Sequence, residues 1–235
     1  MFKKHKIAVI IPAMNEEKSI GNVLQDIPHW VDDILVVDNG STDNTFAVAC
    51  AGGARVFKEP RRGYGLACLK AMENLANPDI VVFLDGDYSD FPQEMNHLVD
   101  PIALHMYDFV IGSRVLGSAE TGALAIQARF GNWLACQLMN LFWNFPYTDL
   151  GPFRAIRTSN LFEMNMRDPN YGWTVEMQIK ALKQNLRITE VPVSYRKRIG
   201  VSKVTGTLRG VLGAGYKILS TIFIHGLSSY RNETK

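Results

Sequence analysis

The stretch Ile80-Val81-Val82-Phe83-Leu84-Asp85-Gly86-Asp87 places two acidic residues directly after a run of apolar ones. An apolar run of this length that ends in a turn indicates a strand buried on both faces. Residues two apart in an extended segment point to the same face, so Asp85 and Asp87 can reach one ligand, and Gly86 leaves room for it. Mg²⁺ and Mn²⁺ favour one or two carboxylates combined with phosphate oxygens and water. The stretch therefore predicts a divalent ion that holds a diphosphate, with a simple Asp-Gly turn as the alternative.

The residues upstream of this stretch alternate between strand and helix patterns. Apolar runs predict strands at 7–11, 34–37, 55–57, 80–84 and 108–111, with helices between them. Such alternation predicts an α/β fold in which a mostly parallel central sheet is flanked by helices. Ligands of these sheets bind at the carboxyl ends of the strands. We therefore expect one site from the polar residues that follow strands, namely Asn15 (also the expected cap of the first helix), Asp38, Asp85 and Arg114.

The second half of the chain is less regular. Its patterns predict one or two helices at 123–145, a helix at 173–183, an edge strand with Pro192 at 187–195, and a basic loop at 196–203. A last helix at 208–227 is expected either to pack on the core or to lie on a membrane surface. Its expected apolar face carries Leu208, Leu212, Gly215, Leu219 and Ile222. Because no linker or repeat interrupts the chain, residues 1–235 are interpreted as one domain.

The composition excludes several classes of protein. A formal net charge of +2 gives no general attraction to nucleic acid. Dinucleotide binding is excluded because no G-x-G-x-x-G opens the first helix. Three separated cysteines, Cys50, Cys68 and Cys136, argue for reduced thiols rather than disulfides or zinc. Since no charge-free apolar stretch reaches the roughly 18 residues of a spanning helix, we expect a cytoplasmic protein, in solution or peripheral on the cytoplasmic face of a membrane.

Further motifs follow one another along nearly the whole chain. They are Ile11-Pro12-Ala13-Met14-Asn15-Glu16-Glu17, Val36-Val37-Asp38-Asn39-Gly40-Ser41-Thr42-Asp43-Asn44-Thr45, Gly63-Tyr64-Gly65, the stretch ending at Asp87, Gly112-Ser113-Arg114, Thr148-Asp149-Leu150-Gly151-Pro152-Phe153-Arg154 and Trp173-Thr174-Val175-Glu176. In this order they resemble the family 2 glycosyltransferases, which have the GT-A fold. Within that family the chain looks most like the enzymes that transfer mannose or glucose to dolichyl or polyprenyl phosphate.

The resemblance implies an inverting transfer of a hexose from a nucleotide-diphosphate sugar, with Mg²⁺ or Mn²⁺ as cofactor. It divides the chain into a nucleotide-sugar-binding half at 1–115 and an acceptor-binding half at 116–235. The implied nucleotide-sugar contacts are Pro12, Ala13, Asn15, Glu16, Asp38, Gly65, Asp85 and Gly86. The implied metal contacts are Asp87 and Asp85, and the catalytic residues are Asp87, Asp149 and Arg114. The implied phosphate and acceptor contacts are Arg129, Arg154, Arg196, Arg198, Ser202 and Lys203.

The residues leave three questions open. A hydroxyl acceptor needs a general base, for which Asp149 is the candidate, whereas a polyprenyl phosphate is already ionised and needs only cations. We favour phosphate, with Asp149 then orienting an arginine. UDP is favoured over GDP from the look of Arg62-Gly63-Tyr64-Gly65. Many members of the lipid-phosphate branch have Gln where this chain has Ser89, so a third metal contact is missing from the pattern. A protein that binds the nucleotide sugar without turnover is the alternative of another class.

Overall fold

The structure, a computed structural model, describes residues 1–202 and 208–233. Within them, seven strands form one sheet in the order β3-β2-β1-β4-β6-β5-β7. The strands are β1 (Ile7–Ala13), β2 (Asp33–Asp38), β3 (Arg55–Lys58), β4 (Ile80–Phe83), β5 (Phe109–Ala119), β6 (Arg154–Arg157) and β7 (Ile188–Tyr195). In this sheet β6 pairs antiparallel with β4 and β5, and the other pairings are parallel. The predicted mostly parallel α/β sheet is confirmed.

Helices cover both faces of this sheet. They are α1 (Ile20–Asp26), α2 (Thr45–Ala51), α3 (Tyr64–Met72), α4 (Met95–Ala103), α5 (Ile126–Trp143), α6 (Thr158–Glu163), α7 (Trp173–Lys183) and α8 (Leu208–Glu233). Alternate residues of a strand point to opposite faces, so β1 contributes to two cores. Ile7, Val9 and Ile11 pack with α1, α2 and α4, whereas Ala8 and Ile10 pack with residues of α3, α5, α7 and α8.

The structure corrects several boundaries expected from the sequence. The helix after β1 begins at Ile20, and Asn15 lies in a left-handed turn with a φ of 55°, so it does not cap that helix. Strand β6 was not expected, because its four residues include two arginines. The predicted edge position of the strand with Pro192 is correct, since β7 ends the sheet.

The last helix presents a different face from the one expected. Ile222 is buried, but Leu212 is 65% exposed, and Tyr216, Phe223 and Leu227 are exposed with it. These four residues recur at intervals of four and seven, so they share one side of α8. Residues Gly210–Leu227 are long and apolar enough to span a membrane by length and composition, although 28% of that segment is buried and it contains Lys217.

Candidate active site

The carboxyl ends of β1, β2, β4 and β5 lie at one edge of the sheet, because these four strands run in the same direction. Ala13, at the end of β1, is paired with Asp38, at the end of β2. The Asp85-Gly86-Asp87 turn follows β4 directly, and Arg114 lies part-way along β5. The predicted meeting of these residues at one edge therefore agrees with the sheet topology.

Asp87 is 1% exposed and both of its carboxylate oxygens face polar groups. Its Oδ1 accepts hydrogen bonds from the backbone N–H of Ser89, at 2.9 Å, and from the Ser89 hydroxyl, at 2.5 Å. Its Oδ2 forms an ion pair with Nη2 of Arg198, from the basic loop. Ser89, at the position where the resemblance led us to look for Gln, thus supports the Asp87 carboxylate.

Asp85 and Asp90 form a second pair of carboxyl groups beside Asp87. The backbone N–H of Asp85 lies 3.5 Å from Asp90 Oδ2, and Asp90 is 2% exposed. Burial raises the pKa of Asp90 to about 7, and the charge of Asp85 adds to the effect. Burial also raises the pKa of Asp85, while Arg198 and a hydrogen bond from Tyr64 oppose that shift. The turn after β4 therefore gathers carboxyl groups whose charged forms are disfavoured unless a cation lies beside them.

The loops after β1 and β2 are joined by side-chain hydrogen bonds. Asn15 Oδ1 accepts the backbone N–H of Thr42 at 2.8 Å, and the Asn15 N–H donates to the Ser41 hydroxyl at 2.9 Å. Asp38 Oδ1 accepts the N–H of Ser41 at 2.9 Å. The backbone N–H of Glu16 donates to Thr45 Oγ1 at 2.7 Å. These contacts fix the positions of the two loops relative to each other, where the nucleoside is expected to bind.

Gly65 has a packing role that the sequence did not reveal. A Cβ atom there would lie 1.9 Å from the carbonyl oxygen of Asp168, and one at Gly63 would lie 2.2 Å from that of Pro169. Glu176 holds the same loop, because its carboxylate accepts the backbone N–H groups of Arg167 and Asp168. The two glycines are therefore required for backbone packing, and the expected contact of Gly65 with the nucleotide stays a prediction.

Arg114 and Asp149 form a buried, fork-shaped ion pair. Asp149 Oδ2 accepts from the Arg114 backbone N–H and from Nε, each at 2.8 Å, and Oδ1 accepts from Nη2 at 2.7 Å. The Asp149 side chain is 1% exposed and that of Arg114 is 14% exposed. Burial opposes the charge of Arg114, but Asp149 outweighs it and raises the arginine pKa. Gly151 is needed here, because a Cβ would lie 2.8 Å from the carbonyl oxygen of Gly112 and 3.2 Å from Asp149 Oδ2.

Side chains from three elements hold the backbone of the loop that carries Asp149. Glu190 of β7 accepts the N–H groups of Thr148, at 2.8 Å, and Asp149, at 3.1 Å. Asn132 of α5 accepts the N–H of Leu150 and donates to the carbonyl of Thr148, and Gln178 of α7 donates to that of Asp149. Since these contacts hold the backbone on both sides of Asp149, its carboxylate is positioned before any ligand binds.

The basic loop follows β7 and lies against the turn after β4. Arg196 donates to the carbonyl oxygens of Tyr88, at 2.8 Å, and Asp90, at 2.9 Å, and its guanidinium stacks on the Tyr88 and Phe91 rings. Arg198 reaches Asp87, and Ser202 is half-buried. Lys203 lies outside the described residues. Two nitrogens of Arg196 thus anchor the loop, and the phosphate contact expected of this residue stays a prediction.

Two further arginines, Arg129 and Arg154, were expected to bind phosphate, and the structure places them in different environments. Arg129 is exposed and lines a cavity of about 900 Å³, together with Arg114, Asp149, Phe130 and Trp133. Arg154 is 1% exposed and donates to the carbonyl oxygens of Gly151 and Thr174, and burial lowers its pKa to about 10. The expectation for Arg154 is therefore corrected, because its guanidinium is bound inside the protein.

Comparison with known proteins decides the family. Residues 8–163, more than half of the chain, match the model of the glycosyl transferase family 2. The chain belongs to this family. An uncharacterized glycosyltransferase of Mycobacterium tuberculosis is 35% identical over 207 residues, which cover 87% of this chain and 92% of that protein. A dolichyl-phosphate hexose transferase of Haloferax volcanii is 33% identical over 203 residues, or 84% and 86% of the two chains.

A solved structure supports the fold of this family 2 glycosyltransferase. The glucosyl-3-phosphoglycerate synthase of Mycobacterium tuberculosis, in complex with Mn²⁺, UDP-glucose and phosphoglyceric acid, aligns with a TM-score of 0.77. The alignment covers 95% of this chain and 80% of that chain at 24% identity. At this identity the likeness establishes the shared GT-A fold.

Two carboxylates of this glycosyltransferase fit the divalent ion that the resemblance implies. Asp85 Oδ1 is buried without a hydrogen-bond partner, and Asp87 Oδ2 is buried in contact with Arg198. Phosphate oxygens and water commonly complete a Mg²⁺ site of one or two carboxylates. In the part of the chain that the structure describes, no three His, Cys, Asp or Glu side chains are grouped to hold a metal ion. The residues therefore fit an ion shared with a substrate diphosphate.

The structure adds three residues that sequence reasoning missed. Asp90 and Tyr64 contact Asp85, and Glu190 supports the loop of Asp149. Asp90 had a detectable signal, since it stands three residues after Asp87 in the same turn. Glu190 had none, because a glutamate in an edge strand is ordinarily a solvated residue.

Proposed function

We propose that this enzyme transfers a hexose from a UDP-sugar to a polyprenyl phosphate, with a divalent ion at Asp87 and Asp85. The observation that carries the acceptor assignment is the state of Asp149, whose two oxygens accept three hydrogen bonds from Arg114. A general base must have an oxygen within hydrogen-bond reach of the proton that it removes. Asp149 is occupied as a partner of Arg114, which suits an acceptor that arrives ionised.

The cavity beside Arg114 supports an acceptor with a charged head and an apolar chain. Arg114 and Arg129 supply cations, while Leu124, Ile126 and Trp133 supply apolar surface along the same cavity. The relative from Haloferax volcanii is named for a dolichyl phosphate acceptor. Arginine suits a phosphate because its planar fork binds two oxygens.

Peripheral contact with a membrane is part of this proposal. The exposed side of α8 carries Leu212, Tyr216 and Phe223, and the Phe223 ring packs edge-on against Phe142 of α5. Apolar side chains on such a helix can enter the boundary between head groups and acyl chains. A lipid acceptor would then reach the cavity without leaving the membrane.

The donor chemistry follows from the charges at the turn after β4. A bound divalent ion would neutralise the charge that develops on the leaving nucleoside diphosphate. Asp87 and Asp85 would hold it, and Arg198 is a cation of the chain at the same position. Asn15, Glu16 and Asp38 would surround the nucleoside, with Pro12, Ala13 and Gly86 shaping the floor.

A thermal-shift screen tests the donor site. The purified protein is heated with UDP, GDP, CDP or dTDP, each with and without Mn²⁺, because ligands of the native state raise the melting temperature. We expect metal-dependent stabilisation by UDP, and loss of that shift in Asp87→Ala. Stabilisation by GDP alone would mean that the donor carries guanine and not uracil. An unchanged melting temperature with every nucleotide would contradict the donor assignment.

A transfer assay separates the acceptors. The donor is the nucleotide sugar of whichever nucleotide stabilises the protein, with a label on the sugar. The acceptor is a short polyprenyl phosphate or the matching polyprenol. We expect transfer to the phosphate and none to the alcohol. Transfer to the alcohol, or to a soluble hydroxyl compound, would favour the second candidate, with Asp149 as base. Nucleotide binding without any transfer would favour the non-catalytic alternative.

A further inference from the structure

The Arg198–Asp87 pair uses only part of the arginine's fork. Nη2 of Arg198 forms an ion pair with Asp87 Oδ2, whereas the Arg198 Nε is buried without a hydrogen-bond partner. Asp85 Oδ1 and Asp90 Oδ1 are also buried and lack a hydrogen-bond partner. Leaving such groups unsatisfied is costly in the interior of a protein. The atoms at this position are therefore arranged for a ligand that satisfies them better than Arg198 does.

The backbone brings Arg198 to Asp87 and anchors the root of the loop separately. The N–H of Arg196 donates to the carbonyl of Ser89 at 2.9 Å, and the N–H of Ile199 donates to that of Asp87 at 3.0 Å. The Arg196 guanidinium is fixed between the Tyr88 and Phe91 rings. Movement of the Arg198 side chain therefore leaves the attachment of the loop at Arg196 intact.

The charges explain why an arginine occupies this position. Asp87 and Asp90 are almost fully buried, and Asp85 is adjacent. Buried carboxylates that lack a cation are strongly unfavourable. In the described ranges, Arg198 is the side chain that forms an ion pair with Asp87. It thus supplies positive charge where the proposed divalent ion would supply it.

We infer that Arg198 is a resident counter-cation of Asp87, and that a divalent ion binds only when it displaces this guanidinium. The inference rests on the proposed metal role of Asp87. Metal and Arg198 then compete for the same oxygen, so the metal alone binds weakly. A diphosphate gives the displaced guanidinium a new partner, so metal and nucleotide strengthen each other's binding by the same factor.

Direct measurement of Mn²⁺ binding tests the competition. Free Mn²⁺ is counted by electron paramagnetic resonance during titration of the full chain without nucleotide. We expect Arg198→Gln to bind Mn²⁺ at least about tenfold more tightly than wild type, because its side chain leaves the Asp87 oxygen available. Arg198→Lys keeps the charge and should stay near wild type. Lys197→Gln is the matched control. The Lys197 side chain is exposed, and its backbone N–H, which the substitution keeps, donates to the Glu120 carboxylate.

A second measurement follows the folded state itself. Arg198→Gln should melt at a lower temperature than Lys197→Gln in metal-free buffer, and Mn²⁺ should remove most of that difference, because the ion replaces the lost charge. Equal Mn²⁺ affinities of Arg198→Gln and wild type would overturn the inference, while Mn²⁺-dependent binding of UDP to both would leave the proposed function standing. If neither protein binds Mn²⁺ even with UDP, both the inference and the metal part of the proposed function fail.

Discussion

Two arginine–carboxylate pairs, Arg114–Asp149 and Arg198–Asp87, join the two halves of the chain, and the pairs differ in how many hydrogen bonds hold them. On the acceptor side, Asp149 accepts three hydrogen bonds from Arg114 and its loop is held by Glu190, Asn132 and Gln178. On the proposed donor side, Arg198 contacts Asp87 through Nη2, and its Nε is buried without a hydrogen bond.

The difference separates a permanent contact from a replaceable one. A charge pair held by several hydrogen bonds costs a great deal to break, because each partner is left buried and alone. A pair held through one guanidinium nitrogen loses fewer contacts when another ligand replaces the arginine. We therefore interpret Arg114–Asp149 as a fixed platform for the acceptor phosphate, and Arg198–Asp87 as a contact that is exchanged during donor binding.

Among the variants discussed, Asp149→Asn should cause the largest loss of stability and of activity. The amide removes the charge opposite Arg114, so we expect a loss of about 3–5 kcal/mol of stability and a fall in kcat/KM on the order of 100-fold. The pH profile of the residual activity distinguishes positioning from base catalysis. If Asp149 only positions Arg114, the variant keeps the acidic limb of the wild-type profile, whereas loss of that limb would identify Asp149 as the base.

Replacing each arginine by lysine tests the comparison directly. Lysine keeps the charge but lacks the planar fork, so it should fail where the fork is used and succeed where charge suffices. We expect Arg114→Lys to lower kcat/KM by about 30-fold and to lower the melting temperature. Arg198→Lys should change the melting temperature little. Similar losses in the two variants would show that the pairs do not differ as described.

Glu190→Gln should have a smaller effect that acts through Asp149. Glutamine accepts one of the two backbone N–H groups and presents its amide to the other, so the loop shifts and Arg114 with it. We expect kcat to fall by about tenfold, with the donor KM unchanged. The matched control is Glu94→Gln, because Glu94 also accepts a backbone N–H of β7, that of Ser194. If kcat fell equally in Glu190→Gln and Glu94→Gln, Glu190 would have a structural role only and would not position Asp149.

The sequence predicts local features of this protein better than contacts between distant segments. Asp85, Asp87 and the strand before them form one continuous pattern, so the turn and its charge are predictable. The ion pair of Asp87 with Arg198 joins segments more than a hundred residues apart, and periodicity carries no information about it. The burial of Arg154 is unexpected for the same reason, because its partners are carbonyl oxygens that any residue possesses.

A third arginine–carboxylate pair, just before the first residue of β5, gives the smallest effect and completes the comparison. Asp108 accepts hydrogen bonds from Arg187, and these lower its pKa from 3.8 to about 2. Because the folded pKa is depressed, the pair stabilises the protein above about pH 3.8 and loses this effect as the pH falls towards 2. We expect Asp108→Asn to lower the urea midpoint slightly at neutral pH, by an amount that shrinks as the pH falls through this window. Arg187 is 53% exposed, so salt should weaken the effect.

The transfer activity of Asp108→Asn should equal that of wild type, since the Asp108–Arg187 pair lies away from the site. If this variant lost as much activity as Asp149→Asn, the loss in Asp149→Asn would reflect lower stability and not a role of Asp149 in the site.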